Sequence, residues 1–412
     1  MAAPPLLVTP GRASLSTLGT SAPARSLRGP YAGHVTSFAS DNYSPAHPDV
    51  LAALAAASAG HEISYGEDPW TARLQDAVRS RFGPDATAYP VLTGTGANVV
   101  ALMTMLPRWG AVVATEHAHL NTDENGAPER VGGVKVLAVP ASDGKLTPDA
   151  VERFASDLGD PHRAQPLVVS LTQSTELGTL YTPAEVRAVA DAAHARGMRV
   201  HLDGSRLANA AAALDVPLRA LTTDAGVDVL SFGGTKNGLA LGEAVVVLDP
   251  SAVDGVEFVR KATMQLASKM RYVSAQLLAL FEPVGDAVAE VDELADEDEL
   301  WLRNARHANA MAGRLRAGLA DVVVPAAVGP DDAVPAPTSG LAFTQPTLVN
   351  AVFATLPRAA VERLRERHRF YDWGPGETAD RVEVRWMCAW DTTPDDVDGF
   401  VADVRSVLAL AR

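Results

Sequence analysis

The stretch Val227-Asp228-Val229-Leu230-Ser231-Phe232-Gly233-Gly234-Thr235-Lys236-Asn237-Gly238 decides the fold. A short apolar run of strand type meets two glycines, one lysine stands in the turn, and a third glycine closes it. Tucking an ammonium group against a sheet is costly, whereas a lysine that forms an imine is placed in such a spot. A surface-loop lysine is the plain alternative, and the glycines and the apolar strand around Lys236 weigh against it.

Outward from this stretch, similar runs recur at Ala111–Ala114, Val134–Val139, Leu167–Leu171, Met198–Leu202 and Ala244–Leu248. None alternates apolar and polar residues, so each reads as buried on both faces. Helical segments separate them: Pro48–Ala59, Pro69–Phe82, Ala97–Leu106 and Pro183–Arg196. Strands of this kind joined by helices imply an α/β fold, a mostly parallel sheet with helices on both faces. After Glu282 the pattern changes. The acidic run Glu290–Glu299 reads as the solvated start of a long helix, and Val324–Gly340 as loop. Strands Leu348–Phe353 and Arg381–Trp386, with helices Pro357–His368 and Pro394–Leu410, form a smaller α/β C-terminal domain. The expected organisation is an N-terminal extension over 1–35, free of Asp and Glu and read as flexible, a large domain over 36–283 and a small one over 284–412.

Two further segments share the chemistry of Lys236. Thr93-Gly94-Thr95-Gly96-Ala97-Asn98 joins a strand to a helix, and its small residues let backbone N–H groups approach a phosphate. His201-Leu202-Asp203-Gly204-Ser205-Arg206 ends a strand, where open α/β sheets bind ligands. Asp203 alone suits a metal ligand, a helix N-cap or the partner of a pyridinium nitrogen. A phosphate cup, an acid and a lysine, in this order, are what pyridoxal 5'-phosphate requires.

At this point the residues resemble the low-specificity L-threonine aldolases of the β-eliminating lyase family. Ser40-Asp41-Asn42, Tyr65-Gly66-Glu67-Asp68-Pro69, the Gly94/Thr95 cup, Asp203-Gly204-Ser205-Arg206 and Lys236 are similar to that family's motifs. The resemblance implies the type I PLP-dependent transferase fold and cleavage of L-β-hydroxy-α-amino acids to glycine and an aldehyde. It implies that Lys236 is the Schiff-base lysine, that His119 stacks on the cofactor ring, and that Gly94, Thr95, Asp203, Arg206 and Arg271 bind the cofactor. Ser40, Tyr65, Arg206 and Arg385 would bind substrate, with Lys236, His119 and Asp203 catalytic. A homodimer or homotetramer is implied too, with Arg271 reaching a neighbour's phosphate; an exposed basic helix is the alternative there. The apolar positions of a helix over Met264–Leu278 would then face a partner. Where the family carries Thr-His-Asn-Gly, this chain has Ser174-Thr175-Glu176-Leu177-Gly178. The missing histidine predicts a substrate preference shifted from threonine toward bulkier β-hydroxy amino acids.

The remaining features narrow the function. The formal net charge is −15, which repels phosphodiester backbones and anionic lipid, so neither nucleic acid nor membrane is expected as partner. Cys388 is the single cysteine, as suits the cytoplasm, and reads as a small buried hydrophobe. His117 and His119 would face one side of a strand, but no third ligand accompanies them, so no metal is expected. Arg381 reads as part of a solvated strand face.

Overall fold

A computed structural model describes residues 37–283, 299–323 and 340–410. Its main sheet has seven strands: β1 (Thr87–Val91), β2 (Gly110–Thr115), β3 (Lys135–Val139), β4 (Gln165–Thr172), β5 (Arg199–Gly204), β6 (Val229–Gly233) and β7 (Glu243–Val247). They lie in the order β1-β7-β6-β5-β4-β2-β3, and only the pairings of β7 are antiparallel. Every residue of β2, β6 and β7 is buried, which is why these runs show no alternation. The chain therefore leaves β1, β2, β4, β5 and β6 at one edge of the sheet. The segments after β1, β2, β4 and β6 carry the cup, His119, Glu176 and Lys236, and the end of β5 carries Asp203, so topology alone gathers the residues of interest.

A second sheet holds β8 (Ala342–Phe343), β9 (Ala351–Pro357), β10 (Tyr371–Pro375) and β11 (Arg381–Met387), in the order β10-β11-β9-β8 and all antiparallel. Val382, Val384 and Trp386 point into its core, where Phe400 stacks on Phe38 at 4.5 Å and meets Trp386 edge-on at 5.1 Å. Cys388 lies in the same core, and burial pushes its thiol pKa up.

Several expectations need correction. The helix after the cup starts at Gly94 rather than Ala97, because Thr93 caps it by accepting from the Gly96 N–H at 3.0 Å. The helix expected over Met264–Leu278 spans only Arg271–Ala279, and Met264 has a φ of 63° that ends helical geometry. Its apolar positions Met270, Ala275 and Leu278 fill this chain's own core, so that face is not offered to a partner. The helix expected over Pro357–His368 is Arg358–Arg365. Glu299, the end of the acidic run, is not solvated: it is buried, precedes the helix Leu300–Gly318, and accepts from Arg81 Nε at 2.7 Å and from Trp301 Nε1. Residues 1–35, the rest of the acidic run and 324–339 lie outside the described residues.

Arg381 is buried as well. Its guanidinium donates to the carbonyls of Gly340 (3.2 Å) and Thr355 (2.9 Å) and to Glu377 (3.1 Å), and these bonds compensate the loss of water. The alternation along β11 was legible, but its second face is covered rather than wet.

Candidate active site

At the strand edge a cavity of about 190 Å³ is lined by Gly94, Thr95, Asn98, His119, Asp203, Ser205, Ser231, Lys236 and Glu243, among others. On one side the helix Gly94–Met105 begins. Thr93 takes the N–H of Gly96 with its hydroxyl and that of Ala97 with its carbonyl. Gly94 and Thr95 are left as the open donors of the first turn, at the positive end of the helix dipole.

Opposite stands Lys236, in a 3-10 turn between Gly234 and Gly238. Gly238 sits at φ 107°, which only glycine adopts freely, and a Cβ on Gly233 would meet the Ser205 carbonyl at 2.5 Å. Gly233 thus lets β6 pass tightly against the segment after β5, while Gly238 closes the lysine turn. Burial, and then the Arg206 charge, lower the Lys236 pKa, which favours the neutral nucleophilic amine.

Asp203 is no helix cap, because the next helix starts at Leu207 with Arg206 as its N-cap residue. Its Oδ1 accepts from Ser205 N at 3.0 Å and its Oδ2 from Asn98 Nδ2 at 2.9 Å. Burial works to raise its pKa, but the Asn98 bond and then the Lys236 charge hold it below the usual carboxylate range. The buried His201 beneath it is kept neutral, its pKa pushed down by burial to about 4, between Ser170 and Ser231, each 2.9 Å away.

Asn98 reaches further. The same Nδ2 donates to Glu124 Oε1 at 2.8 Å, and that oxygen lies 2.9 Å from His119 Nδ1. Neither His117 nor His119 lies on a strand. His119 opens a four-residue helix after β2, its ring turned to Glu124, while His117 Nε2 lies 3.7 Å from Glu116. The His119 main chain is held too, its N–H donating to Glu176 Oε1 at 2.8 Å. Burial, reinforced by the Asp203 charge, pushes the Glu176 pKa up to about 7. Thr175 turns into its own loop, 2.6 Å from the Thr179 hydroxyl. Glu176 therefore stands beside His119.

A cationic corner completes the site. Arg206 grips the buried Asp41 with two bonds, Nε at 2.7 Å and Nη2 at 2.9 Å, and Asn350 donates to the same carboxylate at 3.1 Å. Arg385 lies near this pair with its guanidinium 4.3 Å from the Trp373 ring centroid, and its Nε has no partner among the described residues. Burial and then the Arg206 charge push its pKa down to about 10. Asp41 and Asp123 offset part of the Arg385 charge, and its Nε, unpartnered among the described residues, is left to donate to an incoming anion.

Five expected site residues stand apart from the cavity lining: Arg206 and Arg385 of the cationic corner, and Ser40, Tyr65 and Arg271. The Ser40 hydroxyl accepts from Asn42 N at 3.2 Å, capping the turn that presents Asp41. Tyr65 and Arg271 do not line the cavity of their own chain: Tyr65 is 48% exposed beneath Lys261, and Arg271 donates to the Gly60 carbonyl at 3.3 Å. Asp41, Asn98, Glu124, Glu176 and Trp373 were not singled out from sequence. Asp41 and Asn98 lay within quoted motifs. The signal for Glu124 was the Asn125-Gly126 pair behind it: both residues adopt left-handed φ (52° and 69°), a turn that keeps Glu124 close to His119.

Comparison with known proteins agrees with this geometry. A family model described as beta-eliminating lyase matches residues 37–333. The chain belongs to the beta-eliminating lyase family. It is 38% identical over 378 residues to a low specificity L-threonine aldolase of Pseudomonas aeruginosa, covering 91% of this chain and 99% of that one. A second, from a Pseudomonas species, is also 38% identical, over 90% of this chain and 98% of its own. Among solved structures, a Leishmania major threonine aldolase superposes with a TM-score of 0.79 at 26% identity, covering 90% of this chain. A Sphingomonas wittichii serine palmitoyltransferase shares the fold alone, with a TM-score of 0.61 at 15% identity. The type I PLP fold expected from sequence is the fold observed.

The family is PLP-dependent, and the residues present fit that cofactor. The open N–H donors of Gly94 and Thr95 suit a phosphate, the ionised Asp203 suits a protonated ring nitrogen, and the depressed Lys236 amine suits an aldehyde.

Proposed function

We propose that the chain cleaves L-threonine and related L-β-hydroxy-α-amino acids between Cα and Cβ, giving glycine and an aldehyde. The observation that carries this reading is the convergence of Lys236, Asp203 and the Gly94/Thr95 donors on one cavity, beside the histidine that a hydroxyl proton would need. The relatives named low specificity L-threonine aldolase, matched over nearly their whole length, support it.

Bound there, pyridoxal phosphate supplies the sink for the electron pair left on Cα when the Cα–Cβ bond breaks. Gly94 and Thr95 would hold its phosphate, Asp203 its ring nitrogen, and Lys236 its aldehyde carbon. Arg385 and Arg206 would receive the substrate carboxylate, and by fixing it they would set which bond at Cα is aligned for cleavage. Through its ring, His119 takes the β-hydroxyl proton, so the O–H electrons become the aldehyde C=O as Cα–Cβ breaks. Coupled assay of acetaldehyde from threonine and benzaldehyde from phenylserine tests the reading. Release from neither would overturn it.

Arg385→Ala is expected to raise KM for the amino acid by about 10–100-fold, the value of one to two charge-assisted bonds, with a smaller change in kcat. Steady-state kinetics checks this, and an unchanged KM assigns the carboxylate elsewhere.

We place the chain in a homo-oligomer, a dimer or tetramer, in the cytoplasm. Tyr65 and Met264 (77% exposed) lie on the surface and, like Arg271, do not line their own cavity, as groups serving a neighbour's site would. The lone thiol suits a reducing compartment. No helix among the described residues is long and apolar enough to cross a membrane. In light scattering the protein should exceed one chain's mass, and Arg271→Ala should weaken cofactor retention about tenfold. A fully active monomer contradicts both.

A further inference from the structure

His119 is held by two acidic side chains. Glu176 accepts from its main-chain N–H, and Glu124 meets its ring. The Glu124 side chain is fully buried, and its Oε1 also receives the Asn98 amide at 2.8 Å. An amide NH₂ can only donate, so Asn98 secures Oε1 as an acceptor. A carboxylate oxygen in that role accepts the hydrogen of Nδ1, and the neutral ring then carries its lone pair on Nε2.

We propose that Glu124, seated by Asn98, is the positioning residue of this site: it fixes the His119 ring with its hydrogen on Nδ1 and leaves Nε2 as the proton acceptor. The proposal builds on the reading of His119 as base. Because the same Asn98 amide also donates to Asp203 Oδ2 at 2.9 Å, the base and the ring-nitrogen acid hang on one buried side chain. Such a link keeps the two at a constant separation without a direct contact. The charged groups facing His119 are Glu124 and Glu176, then Asp203 from β5 and Lys236 after β6. The bond to Glu124 is the largest influence and raises the His119 pKa against the opposing effect of burial.

The test is Glu124→Gln, with Glu124→Asp as the milder change should the amide disturb folding; cofactor loading and circular dichroism verify both proteins. The first readout is histidine ¹⁵N NMR, with the His119 signal assigned by its loss in His119→Gln. Wild-type protein should show protonated Nδ1 and bare Nε2 in the neutral ring. Glu124→Gln should mix or invert the tautomers and lower the His119 pKa, and Glu124→Asp should do so by less. The second readout is kcat/KM against pH. Its acid limb should move to lower pH while the plateau falls about tenfold; a mere packing defect would lower the plateau without moving the limb. Unchanged ¹⁵N shifts and pKa in Glu124→Gln overturn the proposal. Altered ¹⁵N signals with an unmoved limb uphold it and instead remove His119 as the base.

Discussion

Lys236→Ala is expected to lose covalent retention of pyridoxal phosphate and at least 10³-fold in turnover, on the order of what a removed covalent nucleophile costs. The fold should survive. Lys236 sits in a short turn whose shape is set by Gly234 and Gly238 and by the Gly234 N–H donating to Glu243 at 2.6 Å, none of which needs the lysine side chain. Borohydride reduction followed by peptide mapping gives the measurement: wild-type protein should carry the cofactor mass on the Lys236 peptide, and the variant on none. A variant that still reduces at normal stoichiometry would show that another lysine holds the cofactor.

Asp203→Asn is expected to keep the cofactor and lose about 10²–10³-fold in kcat, roughly 3–4 kcal/mol at ~1.4 kcal/mol per tenfold. The amide is isosteric and can still accept from Ser205 N, so the local turn is preserved. What goes is the negative charge that the Asn98 bond and then the Lys236 charge keep ionised in a buried place. Without it the ring nitrogen has no counterion and the electron sink weakens. Single-turnover kinetics beside a cofactor titration separates the two effects. Near-normal kcat would reduce Asp203 to a turn-forming residue.

Much of this was legible in the chain. Strands buried on both faces announce themselves as unbroken apolar runs, and β2, β6 and β7 did so. Lys236 and Asp203 were readable because each follows such a run and is bracketed by small residues. Glu176 and the Asn98 bridge were not, because those partners are distant in sequence: Glu176 meets His119 from another loop, and Asn98 joins Glu124 to Asp203 across the cavity. No periodicity encodes contacts of that kind. Arg381 and the Met264–Leu278 segment misled for a related reason. Polarity along one element says which residues share a face, but not what covers that face. For Arg381 the cover is Glu377 and two carbonyls, and for Met270 it is the chain's own core.

The central claim is that this cavity breaks Cα–Cβ rather than expelling the β-hydroxyl. Product analysis of uniformly ¹³C-labelled L-threonine by NMR tests it most directly. The account predicts labelled glycine and acetaldehyde in equal amounts, absent with Lys236→Ala. Labelled 2-oxobutanoate with ammonia, and no glycine, would contradict it.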